Sequence, residues 1–220
     1  MTRLRRPAPR LVLATCLALA VAGCDATMQD QGGMNMLVSR DVKRPEADVP
    51  AAAPAVAMRW GNKAGSDAWT QATLQALDRH GVQMVSNVPS DIGVYCPGYA
   101  ARGENGRKAF WAGLLSAVAK HESTYNPKAS GGGGKWLGLM QISPATWRSY
   151  GCSGEMMNGA DNMACAVRIM SKQVGRDNAV AGGKGGWRGV ARDWAPMRSA
   201  SKRADIAAWT KQQSYCSPKA

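Results

Sequence analysis

The sequence predicts a mainly α-helical domain behind a leader and a tether, and three observations carry that prediction. Apolar residues recur at helical spacing in several stretches between positions 66 and 212. No strong strand pattern and no internal repeat accompanies them. The 220 residues suffice for one well-packed domain with extra segments, and the first of those segments has the character of an export signal.

In that leader, Arg3, Arg5, Arg6 and Arg10 form a basic region ahead of the apolar run 11–22. The run is too short for an ordinary membrane-spanning helix. Arg5-Arg6 is only a weak twin-arginine signal. Val21-Ala22-Gly23-Cys24 resembles the lipobox of bacterial lipoproteins, which implies lipidation of Cys24 and removal of residues 1–23 as a signal peptide. A plain secretory signal with an incidental cysteine is the alternative. Asp25 resembles a retention signal in some lineages only, so inner versus outer membrane stays open. Residues 24–59 read as a flexible Pro/Ala-rich tether, with Pro45, Pro50 and Pro54 and no sustained apolar period, too poor in burial to offset its ordering entropy.

The domain is expected over 60–220. Ser66 is expected to cap a helix through Arg79 that presents Trp69, Thr73, Ala76 and Leu77, with Gly81 as its stop. Residues 82–103 hold Pro89, Gly93, Pro97, Gly98 and Gly103 and read as irregular chain. A helix over 107–123 places Trp111, Leu115, Val118 and Glu122 on one stripe, and Asn126-Pro127 ends it. Ser143-Pro144 is an N-cap with proline at the first helical position, opening a short helix that Gly151 ends. Asp161 is expected to begin a helix with Met163, Val167, Met170 and Val174 on one face, closed by Gly175. Residues 182–189 are glycine-rich, and a last helix is expected from about 201 to 212.

Glu122 is the odd member of its stripe. A carboxyl at an apolar helix end is partly desolvated, its pKa rises, and an acid still protonated near neutrality can serve as a general acid. The bland alternative is a solvated acid on the last turn. The neighbourhood favours the first reading: Glu122-Ser123, Tyr125-Asn126-Pro127, Ala129-Ser130 and Gly138-Leu139-Met140-Gln141-Ile142-Ser143-Pro144 follow in one order. This segment resembles the catalytic segment of the soluble lytic transglycosylase (SLT) family of the lysozyme superfamily, closely over 107–147 and loosely to about 175. The resemblance implies a goose-type, lysozyme-like helical domain, with room for a small β-hairpin near the glycine-rich loop.

It also implies a function. Glu122 would protonate the glycosidic oxygen leaving muramic acid, the neighbouring acetamido group would assist, and Glu122 would then take the 6-hydroxyl proton. The product is a 1,6-anhydromuramic end, without water. By resemblance Ser123 hydrogen-bonds Glu122 or the acetamido group, Met140 and Gln141 line the sugar groove, and Leu139 is core. One departure matters: family members often carry a Tyr-Asn-Ala-Gly segment whose tyrosine contacts the acid, and this chain has none. Trp194, in Gly189-Val190-Ala191-Arg192-Asp193-Trp194-Ala195-Pro196, either fills that place as an aromatic with one donor or is a structural tryptophan. Asp193 is either a surface acid or, if it faces the groove, a base for water that would make the enzyme a hydrolase. His121 is expected to be exposed.

Other features exclude alternatives. Gly131–Gly134 with Lys135 is followed by Trp136, so it satisfies no phosphate-loop pattern and reads as chain that must turn near a groove without side-chain bulk. The net charge is +13 overall, and 24 basic against 15 acidic residues remain beyond the signal. Cell-wall peptide carboxylates or envelope-lipid phosphates suit such a surface; the signal and the lack of a recognisable motif argue against nucleic acid. Cys16 leaves with the signal and Cys24 is assigned to lipid, so Cys96, Cys152, Cys165 and Cys216 remain, with three pairings. Cys152–Cys165 bridges a short helix to the next and is preferred, which leaves Cys96–Cys216. No cysteine pair has zinc-ligand spacing and the histidines are His80 and His121, so neither a metal nor a cofactor is expected. The expectation is thus a monomeric, periplasm-facing lipoprotein acting on peptidoglycan glycan strands. A muramidase hydrolysing the same bond and a catalytically weak wall-binding lipoprotein are the alternatives.

Overall fold

Helix α3, Glu104–Ser123, runs through the centre of the domain, and its residues from Ala109 to Ala119 are all buried. The computed structural model describes residues 56–182 and 185–218. The leader, Cys24 and most of the tether therefore lie outside the described residues. The composition of α3 explains its position: Ala, Gly and Ser alternate with large side chains, so neighbours approach on every side. Gly113 shows how closely, since a Cβ there would lie 2.0 Å from the Tyr215 hydroxyl. Tyr99, Phe110 and Trp111 meet edge to face, and Trp111 Nε1 donates to the Tyr99 hydroxyl at 2.9 Å.

The other helices among the described residues are α1 (Ser66–His80), the short α2 (Val82–Ser86), α4 (Pro144–Ser149), α5 (Gly159–Asp177) and α6 (Ala200–Lys211), of which α1, α2 and α6 pack on α3. α1 packs along α5, and α6 along α3. The expected faces hold: Trp69, Thr73, Ala76 and Leu77 are buried on α1, and Met163, Val167, Met170 and Val174 on α5. A two-residue antiparallel hairpin pairs β1 (Ser130–Gly131) with β2 (Trp136–Leu137).

Several boundaries differ from expectation. Ser66 is buried inside α1 and caps nothing; Gly65, at φ 85°, holds the cap position. Gly81 ends α1 in a right-handed conformation and leads directly into α2, so 82–103 contains that helix and two 3₁₀ turns, Ile92–Val94 and Tyr99–Ala101. α3 starts at Glu104, whose charge suits the positive end of the helix dipole. It stops two residues before Asn126-Pro127, because Thr124 and Tyr125 both adopt positive φ, 53° and 64°. α5 begins earlier than Asp161: the Asn158 side chain accepts from the Ala160 and Asp161 amides. It also passes through Gly175 and stops at Asn178, which takes the left-handed cap at φ 46°. Ser143 caps α4 as expected, accepting from the Thr146 amide.

Two disulfides close the domain, Cys96–Cys216 and Cys152–Cys165, with sequence separations of 120 and 13. In the chain-entropy model they contribute about 5 and about 3 kcal/mol.

Candidate active site

Glu122 occupies the last turn of α3, where the buried stripe of Trp111, Leu115 and Val118 meets an opening in the surface. The carboxyl lines a cavity of about 300 Å³ with Trp136, Gln141, Asp193, Trp194, Ala195 and Arg198. A smaller recess of about 70 Å³ shares Trp136, Gln141, Asp193 and Trp194 and continues towards Ser143 and Thr146. Together they form one groove. Desolvation raises the pKa of Glu122 to about 7, against the opposing pull of the Lys202 and Arg198 charges. The group therefore exchanges its proton near neutrality.

The opposite wall is built by the hairpin and the turn after it. Gly138, at φ 77°, starts the Leu139-Met140-Gln141 turn, and a Cβ there would lie 2.4 Å from both Asn162 Nδ2 and the Met156 carbonyl. Asn162, fully buried on α5, clamps this turn: its Oδ1 accepts from the Met140 amide at 2.8 Å, and its Nδ2 donates to the Leu137 and Met156 carbonyls. Gln141 sits at φ 47° and donates from Nε2 to the Ala129 and Gly138 carbonyls, which fixes its amide in the groove wall. The glycine loop lies against these groups. A Cβ on Gly131 would meet Gln141 Oε1 at 2.3 Å, and one on Gly132 would meet the Trp136 ring at 2.2 Å. Trp136 is 47% exposed, an indole face presented to the groove.

The third wall comes from 193–198. Asp193 is exposed to the groove, yet surrounding atoms desolvate its carboxyl enough to raise its pKa above the ordinary value. Its Oδ2 accepts from Gln173 Nε2 at 2.6 Å. Arg198 is held by the Ala191 and Arg192 carbonyls at 2.8 and 3.0 Å.

Glu122, Gln141, Trp194 and Asp193 thus come together, and other expected residues do not. Met140 is completely buried, so its side chain is core like that of Leu139, and only its backbone serves the wall. Ser123 donates weakly to the Ala119 carbonyl at 3.4 Å and bonds no Glu122 oxygen. Trp194 lines the groove, but its Nε1 donates to the Met140 carbonyl at 3.0 Å, so its single donor is spent on the backbone rather than on the acid. His121 is not exposed: its Nε2 lies 2.7 Å from Asp205 Oδ2, and Asp205 also accepts both Arg59 terminal nitrogens. Trp136, Asn162, Gln173 and Arg198 carry no signature of a site in the sequence. Asn162 and Gln173 could have been flagged, as amides among the apolar residues of α5.

This geometry, one desolvated acid facing a clamped amide across an open groove, lies largely within residues 100–189, which match the family model of the transglycosylase SLT domain. Asp193, Trp194 and Arg198 fall just beyond the matched segment of the SLT domain. Among solved structures, the wild-type form 2 of Bd0314 DslA is similar, with 29% identity and a TM-score of 0.67 over 73% of this chain and 98% of that one. A glutamate-to-glutamine mutant of the same protein matches with 29% identity and TM-score 0.67, over 73% of this chain and 97% of that one. A second such mutant gives 27% identity and TM-score 0.64, over 72% and 96%. Among curated proteins there is no significant match.

Proposed function

We propose that the chain is a peptidoglycan lytic transglycosylase that cleaves the β-1,4 bond between N-acetylmuramic acid and N-acetylglucosamine and leaves a 1,6-anhydromuramic end. The observation that carries this reading is Glu122, an acid with a pKa raised to about 7 in the wall of an open groove. A group titrating there is suited to give a proton and take one back within a single turnover. Protonated Glu122 donates to the glycosidic oxygen as the bond to the anomeric carbon breaks. The substrate's acetamido group assists at that carbon. Ionised Glu122 then removes the 6-hydroxyl proton as that oxygen closes on the anomeric carbon, and no water is consumed. The indole of Trp136 and the amide of Gln141 offer a stacking face and a polar edge to the sugars. The sequence register at Cys24 supports a membrane-anchored placement of this domain in the envelope.

Asp193 favours a second reading. Its carboxyl lines the same cavity as Glu122, where it could activate water and turn the same cleavage into hydrolysis. Two variants separate the readings. Glu122→Gln should cost at least about two to three orders of magnitude in turnover of purified peptidoglycan while glycan binding persists. Asp193→Asn should retain most activity under the single-acid mechanism. Loss of activity in Asp193→Asn, with an unchanged melting temperature, would support hydrolysis instead, and near-normal turnover by Glu122→Gln would remove Glu122 from the chemistry.

A further inference from the structure

The C-terminal end of α1 and the outer face of α5 enclose two cavities that the proposed reaction does not use. One, of about 540 Å³, is lined in part by Arg79, His80, Tyr150, Arg168, Ser171 and Lys172, with no carboxylate in its lining. The other, of about 330 Å³, shares Arg79, His80 and Arg168 and borders the Cys152–Cys165 bridge. Arg168 is committed to the fold: its Nε donates to His80 Nε2 at 3.1 Å and its Nη1 to the Tyr150 and Gly151 carbonyls. Arg79 has no hydrogen-bond or ion-pair partner among the described residues, and the Lys172 ammonium only lies over the Tyr150 ring, 5.3 Å from its centre. Desolvation, then the charges of Arg168 and Arg79, hold His80 below its ordinary pKa, so the permanent charge here belongs to the two arginines and the lysine. Three cations around a recess suit the oxygens of an anionic group.

Position identifies the source of that group. Gln173 Nε2 donates both to the Tyr150 hydroxyl at 2.9 Å, in the wall of the basic cavity, and to Asp193 at 2.6 Å, in the wall of the groove. A hydrogen-bonded chain of side chains, Tyr150, Gln173 and Asp193, thus links the walls of the two spaces. We propose that the basic cavity receives carboxylates of the peptide stems borne by a glycan strand lying in the groove. The inference rests on the glycan-cleaving reading above and names its substrate class: peptide-bearing strands in preference to naked ones.

The test measures Kd on the full chain carrying Glu122→Gln, so that no strand is cut. The probes are soluble peptide-bearing glycan strands and the same strands stripped of peptide by an amidase. The expected result is about tenfold tighter binding of the peptide-bearing strands, an advantage that shrinks as ionic strength rises. Adding Arg79→Ala and Lys172→Ala should bring the ratio of the two affinities to about one, and Arg79→Glu with Lys172→Glu should reverse it. Both residues are exposed, and melting temperatures check that the variants fold. Equal affinity for the two strands before the cavity is altered overturns the proposal and leaves the cleavage reading intact. Binding to neither strand overturns both. Anionic phospholipid vesicles that bind through Arg79 and Lys172, without any stem preference, would assign the cavity to phosphate headgroups and overturn the proposal as well.

Discussion

Glu122 works against the stability of the fold when it is ionised. Its folded-state pKa of about 7 lies above the ordinary value of 4.5, so between these pH values the folded protein holds a proton that the unfolded chain has released. Stability therefore falls as pH rises through that window, and the full cost, at most on the order of 3 kcal/mol, is present above it. Glu122→Gln removes the cost. Its melting temperature should exceed that of the unaltered protein by several degrees at about pH 8, and the two should converge near pH 4. Calorimetry at both pH values checks this, and equal melting temperatures at about pH 8 would mean that the carboxyl is solvated. The position of Glu122 was legible in the sequence because Trp111, Leu115 and Val118 set a helical stripe that it completes. Met140 was not, since a methionine in a turn can face either way. Its burial follows from Asn162 pulling the backbone amide inward at 2.8 Å, a long-range bond that no local pattern records.

At the scale of elements, the loop at 131–134 and the hairpin strand β2 work as one part. Gly132 sits at φ 57°, and a Cβ there would strike the Trp136 ring, whereas Gly133, at φ 66°, has nothing within 4 Å of its Cβ position. Both substitutions to alanine carry the cost of a left-handed backbone, about 1–2 kcal/mol. Only Gly132→Ala must also move the indole. Its kcat/KM should drop by about ten- to a hundredfold, chiefly through KM, while Gly133→Ala stays within a few-fold of the unaltered protein. Steady-state kinetics on the two variants check the difference; equal losses would place Trp136 outside the groove's function. The glycine run was readable as chain passing close to a groove, and the helical faces of α1 and α5 were readable from period. The caps were less so. Ser66 has the right chemistry for a cap but is buried, and the left-handed residues Thr124, Tyr125 and Asn178 end helices where side-chain identity allows several outcomes.

The groove as a whole joins three separated parts of the chain: the end of α3, the hairpin with its following turn, and 193–198. The first two carry a motif, and their approach to one groove was legible from it. The third does not, so the placement of Asp193 and Arg198 emerged only once α5 and the 3₁₀ turn Gly189–Arg192 had folded against each other. The two disulfides hold the same frame from outside, tying the segment before α3 to the tail and the end of α4 to α5. Whether this assembled groove closes the substrate's own 6-hydroxyl onto the anomeric carbon, or admits water through Asp193, is decided by the ends it leaves. A digest of purified peptidoglycan should be analysed by mass spectrometry without prior reduction. Products should end in 1,6-anhydromuramic acid, each lighter by one water than the hydrolytic fragment. Reducing muramic acid ends in their place would contradict the single-acid mechanism.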